Sequence, residues 1–394
     1  MGCGASKQEP RIRQDGVDNP EPAPKKASIS NGPHMSEVTH AQSRDDKDPA
    51  VRQLSKLGSA EALGCPPGLD ATPANLVALH HSPIQFIHRD HNESKERPTF
   101  TISPEGKTLL EGIQDKVAVI GIVGTFGHGK SFLMNQLVGI QDGFALGSKS
   151  HGETRGVWIW ALKRTDRGET VLLLDFEGLA DTENPDPAYD MQLFTLGMLL
   201  SSCLIYNCIA GAIDANQLNS LSCITQIAKH LHPKSQPETS SGFDIYFPSL
   251  VWVLRDANLD HESVDGKEQT DDEYLEEKLK EEAALDDKSE TANEVRRAIK
   301  ETFKSRHLRR MPRPVHSNHQ LKYIEKADPF KIKTIWYEKM DELRRLVLSV
   351  SPPKEIYSPA LQKVEQVSGP AFLARAQTYI DIFNRGDMPT FSDT

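Results

Sequence analysis

The stretch that most constrains this chain runs from residue 116 to 139, "KVAVIGIVGTFGHGKSFLMNQLVG". Its first part, 116–124, is a β-branched apolar run of the kind found in a strand buried on both faces. Its last part places Phe132, Leu133 and Leu137 at helical spacing and stops at Gly139. Between them, Gly124, four residues, and Gly129-Lys130-Ser131 fit G-x-x-x-x-G-K-[ST]. Glycines let such a backbone curl so that successive N–H groups point at phosphate oxygens. Lys130 is the expected cation for β- and γ-phosphates, and the Ser131 hydroxyl the expected ligand of Mg²⁺. Residues Gly124, Thr125, Phe126, Gly127, His128, Gly129, Lys130, Ser131 and Phe132 form the candidate nucleotide cradle. The helix behind them adds its positive N-terminal end.

Around this unit, strand-like and helical patterns alternate. "SPIQFIHRD" (82–90) marks the expected start of order, "VWIWAL" (157–162), "TVLLLDF" (170–176) and "SLVWVLRD" (249–256) read as strands, and 189–202 and 215–231 read as helices. The apolar stretch 193–213 is long enough to suggest a membrane span. Asp190 ahead of it and the Ser201-Ser202 break make it a helix followed by a buried strand instead, so no transmembrane segment is expected. From 270 a charged helix, "TDDEYLEEKLKEEAALDD", reads as a solvated face. The expected fold class is α/β: a mostly parallel sheet with helices on both faces.

Residues 1–80 hold no Phe, Trp or Tyr and are rich in Pro, Gly, Ser, Asp and Lys. Such a segment cannot bury enough apolar surface to offset its chain entropy, so 1–81 is expected to be a disordered tether and 82–394 the folded domain. The chain opens "MGCGASK", which fits M-G-x-x-x-[ST]. Gly2 is the expected myristoylation site and Cys3 the expected palmitoylation site. One acyl chain holds a protein only marginally, and five basic against four acidic residues in 1–26 make no polybasic patch, so two chains are the coherent anchor on the cytoplasmic side of a membrane. The net charge of −10 and the lack of a basic stripe argue against a nucleic-acid partner. Five cysteines without C-x-x-C spacing argue against a zinc site or disulfide framework and point to a reducing compartment.

Three further stretches narrow the ligand. "LLLDFEGLAD" (172–181) ends a strand on D-x-x-G, where Asp175 holds Mg²⁺ through a water and the Gly178 N–H reaches a γ-phosphate. "SHGETRG" (150–156) offers the Thr154 hydroxyl to the same metal. "WVLRD" ends on Arg255-Asp256, either a surface ion pair or a base reader whose carboxylate accepts from guanine N1–H and N2–H₂. Adenine lacks both donors and would leave the acceptor unpaired.

Together, "GIVGTFGHGKSFLMNQL", "TRGVWIW", "LLLDFEGLADTEN", "LLSSCLIYN", "WVLRD", "DDEYLEEKL" and "FNRGDMPTF" resemble the large GTPase domain of guanylate-binding proteins and atlastins, in the dynamin superfamily, over about 82–394. That resemblance implies GTP and Mg²⁺ binding, a homodimer formed across the nucleotide faces, GTP hydrolysis coupled to assembly on membranes, and a role in innate immune defence or membrane remodelling. It implies catalytic duties for Lys130, Thr154 and Glu177. Two departures stand out. Family members usually continue into a helical region, whereas this sequence reaches only the expected end of the GTPase domain, so a short form or one lacking that region is expected. The loop position that usually carries an arginine finger is Gly127, so the finger is lost, replaced by Arg155, or supplied in trans by a partner. A slow or inactive GTP-loaded scaffold and an ATPase of similar topology are the alternatives.

Overall fold

The computed structural model describes residues 75–90, 99–140, 143–146, 154–181, 185–231, 246–257, 268–283, 287–324, 331–358, 363–390 and 393. Gly2, Cys3 and the expected tether as far as residue 74 lie outside them. The strands are β1 (Leu76–Ala78), β2 (Ile84–Asp90), β3 (Thr99–Ile102), β4 (Val117–Gly124), β5 (Val157–Arg164), β6 (Thr170–Phe176), β7 (Cys203–Ile209), β8 (Ser249–Arg255), β9 (Arg306–Met311), β10 (Glu355–Ser358) and β11 (Lys363–Gln366). The helices are α1 (Pro104–Gly112), α2 (Lys130–Leu137), α3 (Pro187–Leu200), α4 (Ala215–Asn219), α5 (Cys223–Leu231), α6 (Asp271–Lys278), α7 (Asp287–Thr302), α8 (Asn318–Lys322), α9 (Thr334–Ser349) and α10 (Gly369–Arg385).

Nine strands form one sheet in the order β3-β2-β5-β6-β4-β7-β8-β9, with β1 pairing β5 as well; β10 and β11 form a separate antiparallel pair. The five strands β6, β4, β7, β8 and β9 are mutually parallel. The other four, β1, β2, β3 and β5, add an antiparallel wing. The parallel part follows from the helices that connect its strands, since a parallel neighbour needs a crossover. Strand β4 shows why both faces are covered. Its Val117, Val119 and Val123 enter one core with Leu196, Phe372 and Ile380, while Ala118, Ile120 and Ile122 enter the other with Phe132, Trp336 and Met340. Alternate side chains of a strand point to opposite faces, so an uninterrupted apolar run requires a helix layer on each side.

Helix starts follow local chemistry. Asp186 accepts from the Tyr189 N–H ahead of α3, with Pro187 in the first turn, where its missing N–H is harmless. That helix ends at Ser201, and β7 begins at Cys203, so the apolar stretch 193–213 is a helix and a strand. Among the described residues no helix is long and apolar enough to cross a membrane.

Four expectations need correcting. The domain does not begin at 82, because Leu76–Ala78 already pairs with β5. The segment 215–231 is two helices, broken at Ser220-Leu221-Ser222, with Leu218, Leu221 and Ile224 buried across the break. The helix from 270 ends at Lys278, and its first turn is no solvated face: Asp271 binds Arg310, while Asp272 binds Arg309 and His307. Those three residues belong to β9, a strand the apolar patterning did not reveal.

Candidate functional site

Parallel strands end on the same side of a sheet, and ligands collect there. Here Asp175 stands beside Ile122, Gly124 beside Asn207, and Ile209 beside Arg255, so the ends of β6, β4, β7 and β8 converge. The loop Thr125–Gly129 leaves β4 at this point and enters α2. Gly124 has φ +146° and a Cβ there would lie 2.0 Å from the Asn207 carbonyl oxygen, so no other residue fits. Gly127 has φ +74° but faces open space.

Behind the loop, Lys130 is buried, and its Nζ donates to the carbonyls of Gly124 (3.2 Å) and Thr125 (3.4 Å). Burial lowers its pKa, against the opposing charges of Asp175 and Glu177. Ser131 Oγ donates to Asp175 Oδ2 at 2.6 Å, Thr154 Oγ1 donates to the same oxygen at 3.4 Å, and the two hydroxyls lie 3.2 Å apart. The other oxygen, Asp175 Oδ1, is buried with no hydrogen-bond partner. Burial raises the Asp175 pKa to about 6, with Lys130 and the two hydroxyls pulling the other way. One carboxylate with two hydroxyls suits Mg²⁺, which keeps waters and substrate oxygens in its shell. Among the described residues no cluster of three His, Cys, Asp or Glu side chains offers a rival metal site.

The segment after β6 is tied to the loop. Phe126 N–H donates to the Leu179 carbonyl (2.8 Å) and Leu179 N–H to the Gly124 carbonyl (3.0 Å). A Cβ on Gly178 would meet the Phe126 Cα at 2.4 Å. Glu177 accepts from Gly156 N–H (2.7 Å) and Tyr189 O–H (2.7 Å) on Oε2, and from Arg155 Nη1 (3.3 Å) on Oε1. Arg155 is thus turned to Glu177, with its side chain largely exposed.

On the other flank, Arg255 is buried and its Nη1 donates to the Gly129 carbonyl at 3.4 Å, while its Nε has no partner. Burial brings its pKa down to about 10. Asp256 follows in the left-handed region, φ +58°, partly exposed. A surface ion pair does not describe this dipeptide, since the arginine points inward at the loop. His128 accepts the Ile209 N–H on Nδ1 (3.2 Å), which leaves the ring proton on Nε2. Burial first, then the charges of Lys130 and Arg255, lowers its pKa.

The expected residues therefore converge, with one correction. The Phe132 side chain is no part of the cradle: it is buried against Trp336, ring centroids 5.6 Å apart, leaving only its backbone to face the loop. Two residues were missed. Asn207 donates to the His128 carbonyl (2.9 Å) and keeps a buried, unpartnered Oδ1; a lone amide inside "CLIYNCI" was its signal. Tyr189 lies twelve positions after Glu177 and had no sequence signal.

A family model described as "Guanylate-binding protein, N-terminal domain" matches residues 97–355. Guanylate-binding protein 2 of Mus musculus is 35% identical over 294 residues, covering 73% of this chain and 49% of that protein. Guanylate-binding protein 1 of Homo sapiens is 34% identical over 295 residues, covering 73% and 48%. The chain spans about half the length of the curated relatives it matches. Among solved structures, Toc33 from Arabidopsis thaliana in complex with GDP and Mg²⁺ is similar at 16% identity and a TM-score of 0.33, over 67% of this chain and 92% of that one.

Proposed function

The chain belongs to the guanylate-binding protein family, and from that premise we propose that it binds GTP with Mg²⁺ and hydrolyses it, as a lipid-anchored protein that dimerises through its nucleotide face. The observation that carries this reading is the meeting of Ser131, Thr154 and Asp175 beside buried Lys130, with one Asp175 oxygen unpartnered. Lys130 leaves the Gly124 and Thr125 carbonyls to face the β- and γ-phosphates, a charge-assisted contact. Ser131, Thr154 and Asp175 hold Mg²⁺, which supplies neutralising charge on the phosphates when bound. Glu177 orients the attacking water. Asp256 accepts from the guanine edge. Gly2 and Cys3 carry the acyl chains, and the residues ahead of β1 act as the tether between membrane and domain.

A second reading, a GTP-loaded scaffold with slow turnover, is favoured by Gly127. That position offers no side chain to the charge that grows in the transition state, and Arg155 is engaged by Glu177. Steady-state turnover at several protein concentrations, with and without vesicles, separates the two. A rate per molecule that climbs with concentration supports the assembling GTPase; a flat, slow rate supports the scaffold. Competition of GTP, ATP and XTP against a fluorescent analogue tests the base: a preference for ATP would make the chain an ATPase, Asp256→Asn is expected to reduce the preference for GTP over XTP, and an unchanged ratio removes Asp256 from base reading. Membrane partition tests the anchor, with Gly2→Ala expected to become soluble and Cys3→Ser to do so in part.

A further inference from the structure

Tyr189 sits in the first turn of α3, outside the loop, the metal trio and the base-reading strand end. Its ring is buried and stacked on Phe100, centroids 5.6 Å apart and planes 17° from parallel. The Arg89 guanidinium lies over the same ring, 4.2 Å from its centroid. Arg89 is itself fixed by Asp186 (2.5 Å), and Asp186 caps the helix at the Tyr189 N–H (3.1 Å). Phe100 is bound through both its backbone groups to the Asn384 side chain of α10, at 2.7 and 2.9 Å. The ring is therefore held by β2, β3, α3 and α10 together. A side chain with two soft torsions, packed this way, delivers its hydroxyl to one place. That place is Glu177 Oε2, 2.7 Å away. Burial, and then the charge of Glu177, raises the Tyr189 pKa, so the hydroxyl keeps its proton and donates it.

We infer that Tyr189 is a positioning residue for GTP hydrolysis: with Gly156 N–H it fixes one oxygen of Glu177 and leaves Oε1 as the working oxygen, which Arg155 now covers. The inference rests on the hydrolytic reading above. The two donors on Oε2 come from a buried ring and from backbone, whereas the donor on Oε1 comes from a side chain that is 59% exposed. The strongly held oxygen and the loosely held one are thus distinguished by what holds them. A water competes with Arg155 on Oε1 more readily than it displaces either donor on Oε2. Without the Tyr189 hydroxyl the carboxylate turns about its last torsion, which is broad and roughly two-fold.

Tyr189→Phe deletes one oxygen and keeps the stacking and the cation over the ring. With the full chain and Mg²⁺·GTP, kcat is expected to fall about tenfold, in line with the loss of one hydrogen bond to a charged group, while KM and nucleotide affinity stay within about twofold. Nucleotide affinity also shows that the variant is folded. Glu177→Gln, alone and combined with Tyr189→Phe, provides the control. In the glutamine background the tyrosine substitution is expected to change kcat by less than twofold, because the group it positions is gone. Equal slowing by Tyr189→Phe in both backgrounds, or a parental kcat in the single variant, overturns the positioning role alone. A parent chain that turns over no GTP overturns the hydrolytic reading and this inference with it.

Discussion

At the outer strand β9, Asp271 and Asp272 meet Arg310, Arg309 and His307 at 2.7, 2.8 and 2.9 Å, and their oxygens also take the N–H groups of Arg310 and Leu308. At the converging ends of β4, β6, β7 and β8, charge is arranged otherwise. Lys130, Asp175 and Arg255 are all buried, yet Asp175 Oδ1, Asn207 Oδ1 and Arg255 Nε have no partner. The first cluster is complete in itself. It lets a strand with the sequence "RHLRRM" close a sheet, because the capped helix α6 brings carboxylates to cover it. The second is incomplete. A buried polar group left unpaired is costly, and several at one point are kept where a ligand completes them. The same chemistry thus serves closure in one place and readiness in the other, and unmatched atoms tell them apart better than the number of charges does.

Substitutions sharpen this contrast, since removing a charge should harm binding in one cluster and stability in the other. The largest effect is expected from Lys130→Ala. Losing a charge-assisted contact worth about 1.5–3 kcal/mol weakens GTP binding about tenfold to a hundredfold. Calorimetric affinity within twofold of the parent would remove Lys130 from phosphate binding.

Asp175→Asn is expected to abolish the tightening of GTP binding by Mg²⁺ while raising the nucleotide-free thermal midpoint by a few degrees, as about 1–2 kcal/mol of charge burial disappears. The pH dependence follows. A carboxyl raised from its usual value near 4 to about 6 binds its proton more tightly in the folded protein. The nucleotide-free parent should therefore lose stability as pH rises from about 4 to about 6, and Asp175→Asn should flatten that slope. A midpoint that falls in the variant breaks the contrast, because Asp175 would then be structural.

Asp272→Ala is expected to have the opposite profile. Its pKa is lowered to about 2: burial opposes the shift, and the bonds to His307 and the Leu308 N–H, with the charge of Arg309, outweigh it. The stability it provides is full above about pH 4 and is lost as pH falls through about 2. Solvent reaches the side chain and screens it, so the loss at neutral pH is about 1 kcal/mol, a midpoint about 2–4 °C lower, with GTP affinity unchanged. A change in affinity would mean that the edge cluster communicates with the site.

Much of this contrast was visible in the residues and part was not. Strands β4, β6, β7 and β8 are continuous apolar runs and could be placed on sight, as could Lys130, Ser131 and Asp175 on their spacing. Strand β9 could not, because its cations are paid for by carboxylates more than thirty positions away. Strand β1 is three residues long, with Val77 exposed, too brief for a period to show. The break between α4 and α5 is hidden because buried Leu218, Leu221 and Ile224 keep helical spacing through it. Phe132 was misplaced because the motif assigns its backbone, while the core claims its ring. Tyr189 and Asn207 act through contacts made only once the chain has folded.

The packing of Phe132 against Trp336 also makes an optical gauge of the site. Trp336 is fully buried, and the ring it touches belongs to the residue directly after Ser131. Any shift of the start of α2 when phosphate arrives alters the surroundings of that indole without exposing it to water. Nucleotide occupancy should therefore be readable in near-ultraviolet circular dichroism and tryptophan emission with no label attached, and replacing Trp336 by Phe should silence that signal while Trp158, Trp160 and Trp252 continue to report on the rest of the sheet.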